Sequence, residues 1–126
     1  MRRENRLVMI GSVCLAVVGV GILAFGVVAA TVPVAADEPL MRADGLASLG
    51  VGLFGLLIAV VPFRRRERWA WLALWFYPVF WSVHLVGGLP PGKDHVHQVV
   101  FIVLSLVGLL LPARAFFSSA SPTGAR

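Results

Sequence analysis

The chain has 126 residues, 59% of them hydrophobic and 13% charged, with a net charge of +5. A soluble domain carries roughly 25% charged residues, so this chain lacks the polar surface to sit in water. No soluble basic domain is present to hold nucleic acid, and the class that remains is an all-α, polytopic membrane protein.

The chain opens on the basic run Met1–Arg6, followed by an apolar segment, Leu7–Ala30. Val34-Ala35-Ala36 resembles a signal-peptidase site, and cleavage there would leave three spans with the new N-terminus outside. The apolar run is 24 residues long, against about 7–15 for the core of a signal peptide, which favours a retained span. Cys14, the single cysteine, reads as a packed thiol. It follows Val13, where a lipoprotein cleavage box needs a small residue.

Further spans are expected at about Gly45–Phe63, Trp69–Val86 and Val96–Leu111, each close to the 17–25 residues that a crossing helix needs. The last is short. Ala113, Phe116 and Phe117 extend it, with Arg114 snorkelling to the headgroups. Residues 1–117 are read as a single antiparallel four-helix bundle and residues 118–126 as a disordered cytoplasmic tail.

Four crossings put both termini on one side. That side takes Arg2, Arg3, Arg6, Arg64, Arg65, Arg66, Arg68, Arg114 and Arg126, while Arg42 and Lys93 fall opposite. Nine against two in short loops makes both termini cytoplasmic and the site of residence the inner membrane. The same asymmetry argues against a chain that inserts in both orientations. Arg64, Arg65, Arg66 and Arg68 form a dense patch expected to contact anionic headgroups.

In lipid, small residues mark helix contacts. The second span carries Gly45, Ser48, Gly52, Gly55 and Ala59 at spacings of three and four, which is one face of a helix. The first carries Ser12, Ala16, Gly19, Gly26 and Ala30 in the same rhythm. These stripes are read as packing surfaces that face other helices, and each other in particular, in preference to a substrate groove.

The third span is aromatic. Trp69 and Trp71 read as interfacial anchors. Pro78 denies the Leu74 carbonyl its helical partner and bends the helix. Rings filling space beside the small-residue stripes are preferred to a pocket for a flat apolar ligand such as a quinone.

Potential chemistry gathers at the outer face: Asp44, Tyr77, Trp81, His84, Asp94 and His97. An ionisable residue inside a span is a candidate for function, and His84 is the clearest case. Asp44 and Asp94 are also well placed as N-caps, with His97 one turn beyond Asp94. His95 and His97 point apart on a helix, and a zinc site needs three or four converging ligands. No metal, cofactor or catalytic residue is therefore assigned; haem between His84 and His97 is the one variant with suitable ligands. No mid-membrane acid is present for proton-coupled drug export.

The run Phe63-Arg64-Arg65-Arg66-Glu67-Arg68-Trp69-Ala70-Trp71, followed by Pro78, His84 and Leu111-Pro112-Ala113-Arg114, resembles uncharacterised four-helix membrane proteins of GC-rich actinobacteria. The resemblance covers roughly residues 40–117 and implies a fold but no activity. Arg66 stands where that pattern would have glycine.

Two functions fit. The first is a non-enzymatic bundle acting as a subunit, assembly factor or homo-oligomeric scaffold. The second is a protein that binds lipid or quinone in an outward pocket, with proton transfer at the His/Asp/Tyr cluster.

Overall fold

The structure, a computed structural model, describes residues 2–32, 37–88 and 95–118. Its elements are α1 (Arg2–Thr31), α2 (Glu38–Val60), α3 (Arg68–Leu74), α4 (Phe76–Gly87), α5 (Val96–Leu110) and α6 (Ala113–Phe117). Three stretches are long and apolar enough to cross a membrane: α1, α2 and the α3–α4 pair. α5 has 15 residues. At 1.5 Å per residue it is about 22 Å long, against a hydrocarbon core of ~30 Å.

α2 begins well before Gly45. Asp37, not Asp44, is its N-cap, accepting the Leu40 N–H at 3.3 Å. Pro39 sits in the first turn, where a missing N–H costs nothing, and Arg42 pairs with Glu38 at 2.6 Å across one turn. These local interactions extend the helix through a charged segment. Asp44 lies within α2 on an exposed face.

The third span is two helices. α3 ends at Leu74, and Trp75 bonds back to the Leu72 carbonyl at 3.2 Å in a tighter turn. Pro78 has no N–H to offer Leu74, so the helical ladder breaks one turn before it. α4 closes on Gly88 at φ 58°, whose N–H reaches the His84 carbonyl. α5 likewise stops before Pro112. Residues 113–117 form a separate short helix rather than a straight extension of it.

α1 and α2 run antiparallel in close contact. A Cβ on Gly45 would lie 2.5 Å from the Ala30 nitrogen and 2.9 Å from the Gly26 carbonyl oxygen. On Gly52 it would meet the Leu23 nitrogen at 2.7 Å. Ser12 closes the other end of this seam by donating to the Ala59 carbonyl at 2.8 Å. α5 packs antiparallel on another face of α1, with Gly11 against Gly108 and Gly21 against the Phe101 ring. Trp71 ties α3 to α5 by donating from Nε1 to the Leu109 carbonyl at 3.0 Å, while Trp69 projects outward.

The α2–α3 turn is compact. Phe63 is fully buried and packs on Phe116 of α6, ring centroids 4.8 Å apart. Arg66 has φ 60°, a left-handed conformation that side-chain-bearing residues adopt at a cost.

Candidate functional site

Tyr77, Trp81 and His84 recur at spacings of four and three along α4, so they share one face. All three are buried. The Tyr77 hydroxyl sits between Gly19 of α1 and Gly55 of α2, where any Cβ would collide with it. The missing side chains thus make room for the phenol. Trp81 lies stacked on Phe101 at 5.0 Å and edge-on to Phe25 at 6.4 Å. The rings of His84 and His97 lie 5.8 and 5.9 Å from it.

His84 Nδ1 is 2.9 Å from the Phe80 carbonyl. A carbonyl only accepts, so Nδ1 donates in this hydrogen bond. Gln98 is completely buried, and its Oε1 faces His95 Nδ1 at 3.0 Å. Four polar atoms of this region are buried without a partner among the described residues: Tyr77 Oη, Trp81 Nε1, His97 Nε2 and Gln98 Nε2. A buried polar group left unpaired costs about 1–3 kcal/mol. This end of the bundle is therefore built to receive water or a polar ligand, or else carries that cost.

The structure brings Tyr77, Trp81, His84 and His97 into one region but leaves Asp44 out of their hydrogen bonding. Asp44 is exposed, and among the described residues no hydrogen bond or ion pair joins it to His84. Asp94, as cap or as ligand residue, lies outside the described residues, as do the Val34-Ala35-Ala36 cleavage site and residues 119–126 of the tail. Gln98 is the polar group that the sequence reading missed. It sits three residues into an apolar segment, close enough to a loop to pass as a boundary residue. Among the described residues no three His, Cys, Asp or Glu side chains assemble into a metal-ligating group.

A sizeable groove lies elsewhere, on the outer side of α4 and α5. It has a volume of about 660 Å³, with Trp75, Pro78, Val79, Ser82 and Val83 on one wall and Ile102 and Leu106 on the other. Trp75 Nε1 is buried and has no hydrogen-bond partner among the described residues. At the opposite end of the molecule the arginine run divides. Arg64 and Arg66 turn toward α1 and line a smaller recess with Asn5, Val8 and Met9. Arg68 donates from Nε to the Phe116 carbonyl at 3.1 Å, and Arg65 is exposed.

No known protein family matches this chain, and no curated protein or solved structure shows significant similarity to it.

Proposed function

We propose that this protein is a four-crossing bundle of the inner membrane that works by lateral association with another transmembrane helix rather than by chemistry. The α4–α5 groove carries the reading. Between Trp75 and Leu106 its walls carry the small or β-branched side chains of Val79, Ser82, Val83 and Ile102, which let a helix approach closely, and Ser82 offers a hydroxyl to it.

The alignment of α5 supports a fourth crossing. α5 is short, yet it runs beside α1 from Gly11 to Gly21 and beside α4 at Trp81, alongside two membrane-length helices. Arginine asymmetry supports an orientation with both termini and the 61–67 turn on the cytoplasmic side.

Photocrosslinking tests the association. A photoreactive residue at Val83 should capture a second copy or a partner protein in native membranes, whereas one at exposed Val20 on α1 should not. A monodisperse monomer in mild detergent with no adduct at Val83 would sink the proposal.

A second reading rests on the unpaired atoms around Trp81. It assigns them to the polar head of a small ligand, such as a quinone, beneath the outer face. Native mass spectrometry would then find a small molecule that Trp81→Phe releases; absence of any bound species from the unmodified chain would exclude it.

A further inference from the structure

We propose that the recess formed by Asn5, Val8, Met9, Arg64 and Arg66 is a site for one anionic phospholipid, with its phosphate between the two guanidinium groups and an acyl chain along Val8 and Met9. This inference does not depend on the α4–α5 groove.

The recess has a volume of about 300 Å³ and an amphipathic lining. Two guanidinium groups and an amide supply the polar part, and Val8 and Met9 the apolar part. That division matches a phospholipid at a membrane surface. The α4–α5 groove, by contrast, has an almost wholly apolar lining.

Arg64 is held in place. Its Nε donates to Ser12 Oγ at 2.9 Å, and Ser12, fully buried, donates in turn to the Ala59 carbonyl. The Nε end of Arg64 is thereby tied to α1, while the residue as a whole stays exposed to the surface. Its two terminal amino groups have no partner among the described residues, and they are well suited to a forked contact with phosphate oxygens.

Arg66 supplies independent support. At φ 60° its backbone adopts a conformation that glycine takes freely and arginine does not. Strain of this kind collects where a side chain has a task. The Arg66 guanidinium turns to Asn5 Oδ1 at 2.5 Å and to Glu4 at 3.5 Å. The Glu4 carboxylate is about half exposed and its pair with Arg66 is long, so it offsets the positive charge only weakly. Arg65 and Arg68 take no part in the lining, although they belong to the same run.

The test uses the full chain, purified with minimal delipidation and exposed to phosphatidylcholine vesicles with and without phosphatidylglycerol. Native mass spectrometry then counts the lipids retained. The unmodified chain and Arg65→Gln should each hold one phosphatidylglycerol and discard phosphatidylcholine. Arg64→Gln and Arg66→Gly should each weaken retention about fivefold, equivalent to about 1 kcal/mol per basic residue near an anionic surface. Arg66→Gly relieves the backbone, so a thermal melt at least as high as the parent's separates loss of lipid from loss of fold. Millimolar inorganic phosphate should leave the lipid in place. The proposal is overturned if Arg65→Gln matches Arg64→Gln, if Arg66→Gly retains lipid fully, if phosphatidylcholine is held equally, or if phosphate alone displaces the lipid.

Discussion

Gly45→Ala and Gly50→Ala make the same chemical change five residues apart in α2, and they should have opposite effects. Both gain helix propensity, worth up to about 1 kcal/mol for glycine replaced by alanine. At Gly50 a new methyl meets nothing within 4 Å, so that gain is kept. At Gly45 it would lie 2.5 Å from the Ala30 nitrogen, 2.9 Å from the Ala29 carbonyl carbon and 2.9 Å from the Gly26 oxygen. All three are backbone atoms, so no side chain can swing aside and α1 must move away from α2. Overpacking of this kind costs about 1–3 kcal/mol. The propensity gain cancels between the two variants, so their difference measures the cost of separating the helices. Thermal unfolding in mild detergent, followed by tryptophan fluorescence, gives each midpoint. Maleimide labelling of Cys14, whose Cβ packs on Gly108, reports opening of the neighbouring α1–α5 contact. Equal midpoints for the two variants would refute the close approach of α1 and α2.

Two further substitutions test local claims. Tyr77→Phe removes a hydroxyl that has no partner among the described residues and should leave the melting midpoint unchanged or raise it; a clear drop would show that a bound water or ligand uses that hydroxyl. Asp37→Ala should cost about 1 kcal/mol by removing the α2 cap, whereas Asp44→Ala should stay within ~0.5 kcal/mol, as for an exposed side chain; equal losses in the two melts would return Asp44 to a structural role.

Hydropathy was enough to recover an all-helical chain with membrane-length apolar segments, because lipid-facing and buried faces are both apolar. It failed at the start of α2. Residues 38–44 carry Glu38, Arg42 and Asp44 and therefore read as a loop, while the helix there is held by the Asp37 cap and the Glu38–Arg42 pair. Small-residue spacing in both spans suggests that the two faces meet, but not which residues oppose each other. That Gly26 meets Gly45 depends on the axial alignment of two helices, which no pattern within either helix encodes. The candidate site was less legible. Tyr77, Trp81 and His84 are visible as one face of an aromatic helix, but the contribution of Gln98 requires knowing where α5 lies. Ser12 looks like one more small residue in a stripe, and only the fold shows it joining Arg64 to the Ala59 carbonyl. The left-handed backbone at Arg66 leaves no trace in composition.

Single-cysteine labelling in intact cells, in a Cys14→Ala background, tests the membrane arrangement most directly. A membrane-impermeant maleimide should modify Glu38→Cys and leave Arg65→Cys and Ser118→Cys unreacted until the cells are opened. Reaction of Arg65→Cys from outside would invert the orientation, and reaction of Ser118→Cys alone would show that α5 does not cross.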